Sequence, residues 1–144
     1  MSIVFLKNDY VEINKRSGVE VGNILFGMIG TIGNPVIVKE KYFAIKNVAL
    51  IKEKTELKND YLIHYLNSHW INKQFHEQNT GGTQKFIALG VIRHLVILNP
   101  ILPEQQKIAT YLSSLDTKIE AVTHQTTQTQ TFKKGLLQQM FVAA

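Results

Sequence analysis

Cysteine is absent from this chain of 144 residues. Without a thiol the protein can form no disulfide, no thiolate metal site and no cysteine nucleophile. Charged residues make up only 19% of the chain, and no stretch approaches 18 consecutive apolar residues, which excludes a membrane-spanning helix. The hydrophobic share of 44% is too high for a disordered polyelectrolyte. We therefore expect one globular domain, with room for an appendage, located in the cytoplasm by default.

The sequence also lacks the motifs of common enzymes. Its five histidines form no His-x-x-x-His pair, so zinc hydrolysis has no support and we predict neither a metal nor a cofactor. Asn34-Pro35 and Asn99-Pro100 lack the second proline and the aromatic residue with which DNA amino-methyltransferases hold their target base. Glu56-Leu57-Lys58 lacks the preceding Pro-Asp of many metal-dependent nucleases. We predict no catalytic residue in this chain.

Positive charge is concentrated in the first part of the chain. The formal net charge is +5. Residues 1–103 carry 12 basic and 8 acidic side chains, whereas residues 104–144 carry 4 and 3. This excess favours an anionic partner for the first part.

Short strands and then helices are predicted for that first part. Runs of β-branched or aromatic residues have strand length at 10–13, 23–26, 35–38, 48–51 and 91–98. From Asp60 to Phe75 apolar residues recur at three- and four-residue spacing. This predicts one helix with Asn59 or Asp60 as its N-cap.

A long helix is predicted after Pro103, which suits the first turn of a helix. A helix from Glu104 to Phe141 would be roughly 57 Å long at 1.5 Å per residue. We expect it to project from the domain or to pack on a partner, with folding back onto its own domain as the alternative. Apolar residues step by four and three as in a coiled coil. With the polar positions that continue the pattern, they are Ile108, Leu112, Leu115, Ile119, Val122, Thr126 and Thr129.

Binding is the chemistry that the remaining polar residues support. After two glycines, Thr83, Gln84 and Lys85 offer a hydroxyl, an amide able to pair with an adenine edge, and a cation for phosphate or guanine. A surface turn explains this segment nearly as well. Lys46-Asn47 and Arg93-His94 are further polar pairs among apolar residues.

A series of short motifs resembles the type I restriction-modification specificity subunit, in order and spacing, over nearly the whole chain. The final motif is the most distinctive, and Asn23 stands where that family usually has aspartate. The motifs are Gly22-Asn23-Ile24-Leu25-Phe26, Gly30-Thr31-Ile32-Gly33, Asn47-Val48-Ala49, Gly82-Thr83-Gln84-Lys85, and Leu102-Pro103-Glu104-Gln105-Gln106-Lys107-Ile108-Ala109 followed by Leu115-Asp116-x-x-Ile119.

The resemblance implies a mixed α/β target recognition domain with short, mostly antiparallel strands at 1–102, followed by a long coiled-coil-type helix at 103–144. A full family member has two such domains separated by paired antiparallel helices, so we expect a partial subunit that lacks the opening segment of its recognition domain. The resemblance, together with the polar pairs above, gives these candidate DNA-contacting residues: Thr31, Lys46, Asn47, Thr83, Gln84, Lys85 and Arg93.

The resemblance also implies the function. The family recognises double-stranded DNA and catalyses nothing; it directs a methyltransferase subunit, and through it a restriction subunit, to the target site. The long helix would pair with a second copy, with another specificity half, or with helices of the methyltransferase subunit. The alternative is a truncated subunit that acts only as a helix-mediated assembly protein without specific DNA binding.

Overall fold

The computed structural model describes residues 18–30, 32–40, 45, 47–78 and 86–142. Within these ranges three strands form a sheet in the order β2-β1-β3. The strands are β1 (Ile24–Gly27), β2 (Gly33–Ile37) and β3 (Val48–Ile51), and the helices are α1 (Asn59–Leu66), α2 (His69–Gln78), α3 (Leu89–Arg93) and α4 (Leu102–Met140). The predicted mixed α/β fold with antiparallel strands and a long C-terminal helix is confirmed. The strand predicted at 10–13 lies outside the described residues.

β1 is the central strand and pairs antiparallel with both neighbours. Ile24 lies opposite Ile37 on β2 and opposite Ile51 on β3. β2 begins at Gly33, whose φ of +91° is a conformation that glycine adopts without strain. Because alternate residues of a strand face the same side, Ile24 and Phe26 are both fully buried while their neighbours are half-buried.

The helices α1 and α2 supply the other half of the core. Each presents two buried apolar residues four positions apart, Leu62 and Leu66 on α1 and Ile71 and Phe75 on α2. This spacing places both residues of a pair on one helix face. The rings of Phe26 and Phe75 pack at a centroid distance of 5.5 Å in a tilted arrangement. The core therefore lies between the sheet and these two helices.

The strand predicted at 91–98 is wrong, since these residues complete α3 and then run as irregular chain. Two side chains supply the hydrogen bonds that a neighbouring strand would have made. The Nε2 of Gln74 donates to the Val96 carbonyl, and the Val96 N–H donates to Gln74 Oε1, each at 2.9 Å. The hydroxyl of Tyr61 donates to the Leu98 carbonyl at 2.9 Å. A backbone satisfied in this way needs no partner in a sheet.

The single helix predicted from Asp60 to Phe75 is two helices, and the break falls at Asn67 and Ser68. Asn67 donates from Nδ2 to the Ile63 carbonyl at 3.1 Å. The Ser68 N–H donates to the carbonyl of Tyr65, three residues earlier, at 3.0 Å. The Asn67 side chain competes with the helix for a backbone carbonyl, which accounts for the end of α1 although the hydrophobic spacing continues.

The predicted cap of α1 is also wrong, because neither Asn59 nor Asp60 is the N-cap residue. Lys58 holds that position without a side-chain cap. The buried Asn59 side chain instead donates from Nδ2 to the Gly22 carbonyl at 2.7 Å. Its backbone N–H donates to Glu53 Oε2 at 3.2 Å, so a carboxylate from the preceding loop serves the helix N-terminus.

Gln105, near the start of α4, is fully buried and surrounded by polar partners. Its Oε1 accepts from the Lys58 N–H at 3.0 Å. Its Nε2 lies 2.8 Å from the Glu56 carbonyl, 2.9 Å from Asn99 Oδ1 and 2.8 Å from the Pro100 carbonyl. One side-chain amide thus joins the loop before α1 to the segment that leads into α4.

The chain divides into two compact units, Met1–Gln106 and Lys107–Ala144. The first contains the sheet, α1 to α3 and the Gln105 amide. The second is the continuation of α4, in which every residue from 116 to 134 is exposed. The assignment of DNA recognition to residues 1–102 and of pairing to residues 103–144 stays a prediction.

Replacing Gln105 by alanine is expected to lower the free energy of unfolding by about 2 to 3 kcal/mol, because buried groups of the two segments lose their partner. Urea unfolding followed by the fluorescence of Trp70, the one tryptophan of the chain, measures the change. Gln128→Ala, at an exposed position of the same helix, is the control and should stay within about 0.5 kcal/mol of the parent. Equal stabilities of the two variants would contradict the role given to Gln105.

Candidate nucleic-acid interface

Three polar segments were predicted to contact DNA. Residues that adjoin them in sequence are hydrogen-bonded to one another around Met28 and Ile29. The Met28 N–H donates to the Asn47 carbonyl at 3.4 Å, and the Met28 carbonyl accepts from the Ile87 N–H at 2.9 Å. Ile29 forms an antiparallel bridge with Phe86. The chain just after β1, the residue before β3 and the start of the segment leading to α3 are therefore hydrogen-bonded together.

Five of the seven predicted DNA-contacting residues lie outside the described residues: Thr31, Lys46, Thr83, Gln84 and Lys85. The residues next to them in sequence, Gly30, Asn47 and Phe86, belong to the cluster around Met28 and Ile29. Gly30, Asn47 and Phe86 are 17 to 56 positions apart along the chain, so the sequence alone could not show that they lie close together.

Asn47, one of the two described candidates, has a backbone role. Its φ of 62° lies in the left-handed region, which asparagine tolerates better than most residues. The side chain is exposed. Asn47 therefore makes the turn into β3 and leaves its amide free to meet a ligand.

Arg93, the other described candidate, is the last residue of α3 and is exposed. It lines a cleft of about 730 Å³ that runs beside β3. The cleft has a largely apolar wall and two further cations, Lys52 and Lys54, that the sequence did not single out. Among the apolar lining residues are Met28, Ile45, Val48, Leu50, Leu89, Ile92 and Leu95.

Glu53 lies between the two lysines in sequence and also lines the cleft. The hydrogen bond from the Lys58 ammonium, 3.0 Å from Glu53 Oε1, lowers the pKa of this carboxyl; burial opposes it with a smaller effect, and the Asn59 N–H lowers the pKa further. Glu53 is therefore ionised at neutral pH and engaged with Lys58 and the N-terminus of α1. Within the described residues, Glu53 pairs with Lys58 and forms no ion pair with Lys52 or Lys54.

No group of three or more histidine, aspartate or glutamate side chains within the described ranges could hold a metal ion. In the same part of the chain, no helix is long and apolar enough to cross a membrane. The described cleft thus offers cations and apolar surface, which suit binding.

Comparison with known families identifies the chain. A model of the type I restriction modification DNA specificity domain matches residues 2–129. The chain belongs to this family. The match includes the sheet, α1 to α3, the cleft and most of α4, so the DNA specificity domain extends into the long helix.

Within this specificity domain, Asn23 has a structural role. It is buried, and its Oδ1 accepts from the Glu20 N–H at 3.0 Å. Its carbonyl accepts from the Val38 N–H at 2.8 Å. Aspartate has the same acceptor oxygen, so either residue can support the turn that leads into β1.

The predicted pairing positions of the specificity domain lie on α4 and differ in exposure. Ile108, Leu112 and Leu115 are half-buried. Ile119 and Val122 each expose 62% of their surface. Exposed apolar side chains at helical spacing are what a helix-pairing surface requires, and the pairing itself stays a prediction.

Thr126 and Thr129 continue these positions in polar form. Both are exposed, and their hydroxyls donate to carbonyls four residues earlier, those of Val122 and Gln125, at 2.9 Å. Because each hydroxyl hydrogen is used within the helix, these threonines offer a partner their methyl groups and acceptor lone pairs.

Substitutions at Asn47 test its role in the backbone conformation of the turn into β3. Asn47→Gly should keep the free energy of unfolding within about 0.5 kcal/mol. Asn47→Val should lower it by about 1 to 2 kcal/mol, because a β-branched residue is strained at this φ. Urea denaturation measures both variants. A valine variant as stable as the parent would show that the turn does not require the left-handed conformation.

Proposed function

We propose that the chain supplies DNA sequence recognition to a type I restriction-modification complex. It would be non-catalytic itself and would direct a methyltransferase subunit, and through it a restriction subunit, to a site in double-stranded DNA in the cytoplasm. The observation that carries this proposal is the family match over residues 2–129. The basic excess of residues 1–103 agrees with a polyanionic partner.

The cluster around Met28 and Ile29 supports the choice of reading residues. Its described members are neighbours in sequence of Thr31, Lys46 and Lys85. Amide and cationic side chains that reach the major groove can discriminate base edges by paired hydrogen bonds. We assign base reading chiefly to Gln84 and Lys85, and we propose that Thr31, Lys46, Asn47, Thr83 and Arg93 also face the DNA.

The long helix is the proposed site of assembly. We propose that Ile108, Leu112, Leu115, Ile119 and Val122, continued by Thr126 and Thr129, face a partner helix. The partner would be a second copy of the chain, another specificity half, or the methyltransferase subunit. A second candidate function follows from the same exposed apolar positions, namely an assembly protein that acts through α4 without specific DNA binding.

Gln84→Ala in the complex reconstituted with the methyltransferase subunit should weaken discrimination at one base pair by about 1 to 3 kcal/mol, or roughly 5- to 150-fold. Lys85→Ala should remove guanine discrimination if it reads a base. If Lys85 contacts a phosphate, the plot of log affinity against log salt concentration should become shallower by about 0.9. Selection from a random duplex library, followed by sequencing, measures the preference.

The controls for this experiment are Gln128→Ala and Lys118→Ala, which remove the same side chains from exposed positions of α4. They should leave target choice and affinity unchanged. If Gln84→Ala and Lys85→Ala behaved like these controls, the assignment of the reading residues would fail. A parent complex without any sequence preference would favour the second candidate function.

Introducing two charges into the apolar seam tests assembly. Ile119→Lys combined with Val122→Lys should leave the helix content intact, because both positions are exposed in the single chain. It should weaken association by at least tenfold, since apolar contacts are replaced by two like charges. Analytical ultracentrifugation, with and without the methyltransferase subunit, gives the result.

The matched control adds the same two lysines beside the seam, as Ala121→Lys with His124→Lys. These residues are exposed and lie off the four-three pattern of the seam. Association should be preserved in this control. A parent chain that stays monomeric both alone and with the methyltransferase subunit would exclude pairing through α4.

A further inference from the structure

We propose that Lys52, Lys54 and Arg93 bind the phosphate backbone of double-stranded DNA across the mouth of the cleft beside β3. This inference rests on the proposed function and extends it. It adds a sequence-independent contact to the base-reading segments and includes two residues, Lys52 and Lys54, that were not among the candidate DNA-contacting residues.

The three cations meet at one cleft from two different elements. Lys52 and Lys54 lie in the segment that follows β3, and Arg93 ends α3. All three line the cleft and are exposed. Positions 52 and 93 are more than forty residues apart in sequence, so only the fold brings these charges to one place.

The charges of these residues are available to an external anion. Within the part of the chain that the structure describes, none of the three forms an ion pair with a carboxylate. Glu53 is the carboxylate that lines the same cleft, and its two oxygens accept from Lys58 Nζ at 3.0 Å and from the Asn59 N–H at 3.2 Å. Glu56 lies next to Lys54 in a separate, smaller cleft.

The form of the cleft suits a phosphate backbone better than a base edge. Its wall is apolar, so the aliphatic stems of lysine and arginine can rest on it while their charged ends reach outward. No asparagine or glutamine is among the described residues that line it, so it lacks the carboxamide that pairs with an adenine edge. An arginine guanidinium can in addition hold a phosphate by two parallel hydrogen bonds.

The position of the cleft relates these contacts to base reading. Met28 lines the cleft and is also the residue whose backbone joins Asn47 and Ile87. Phosphate contacts made here would lie beside the segments proposed to enter the groove. Such contacts fix the register and orientation of a protein on the duplex without carrying sequence information themselves.

Neutralising the three cations together, as Lys52→Gln, Lys54→Gln and Arg93→Gln, tests the proposal in the complex with the methyltransferase subunit. The probe is a short DNA duplex of arbitrary sequence, titrated at several salt concentrations. The plot of log affinity against log salt should become shallower by roughly 2 to 3, since each phosphate contact contributes about 0.9. Sequence preference in a random-library selection should be retained.

The matched control removes three charges from separate exposed positions, as Lys39→Gln, Lys73→Gln and Lys134→Gln. Its slope should stay close to that of the parent, which separates local contacts from a change in net charge. Circular dichroism and thermal melting confirm that both triple variants fold. Either of two results would overturn the proposal. In the first, the cleft variant keeps the parent's slope and still binds the methyltransferase subunit. In the second, it keeps that slope and no longer binds the methyltransferase subunit.

The second of these results would assign the cleft to an acidic protein segment. Failure of the proposed function differs from both of these results, because in that case the parent complex itself has no sequence preference. The slope of the cleft variant on arbitrary DNA is measured independently of that preference.

Discussion

The buried amide of Gln105 is the interaction on which the arrangement of the first unit most depends. Its partners come from residues 56–58, ahead of α1, and from residues 99–100, ahead of α4. Its Nε2 has two hydrogens for three acceptors within reach, and an amide with no exposed surface needs such partners, because a buried polar group without one costs about 1 to 3 kcal/mol. The two segments are therefore held in a single relative position. The first glutamine of the Leu-Pro-Glu-Gln-Gln motif, Gln105, thus has a structural role.

Hydrogen bonds from side chains to backbone also hold the segment that borders the cleft beside β3. Residues 95–100 run through the domain without a neighbouring strand, and side chains satisfy their backbone: Gln74 at Val96, Tyr61 at Leu98, and Gln105 at Pro100. Burial raises the pKa of Tyr61, so its hydroxyl keeps the proton that it donates. Among the described residues this segment does not join the sheet, and Leu95 and Ile97 line the same cleft as β3. Arg93 can then line the same cleft as the lysines that follow β3.

Local pattern predicted the elements whose hydrogen bonds are local, and it failed where side chains from distant positions intervene. β3 was predicted at its observed bounds, and α4 within two residues of its start. The run at 91–98 has the composition of a strand, but Gln74 supplies its hydrogen bonds. Asn59 has the chemistry of a cap, but its amide is used by Gly22. At the site, Arg93 was selected as one of a polar pair. Lys52 and Lys54 were not, because their significance comes from lining the same cleft as Arg93.

The surface of α4 indicates where pairing would gain its free energy. Ile119 and Val122 expose apolar surface before the threonine-rich stretch, and Phe132 and Met140 expose about 70% of theirs after it. Between them the threonine hydroxyls donate within the helix. A partner helix there meets methyl groups, acceptor lone pairs and glutamine amides. Since apolar burial contributes about 25 cal/mol per Å² and exposed polar contacts little net free energy, association should be concentrated in the two apolar stretches. The polar middle then limits the strength of pairing and favours registers in which apolar stretches meet.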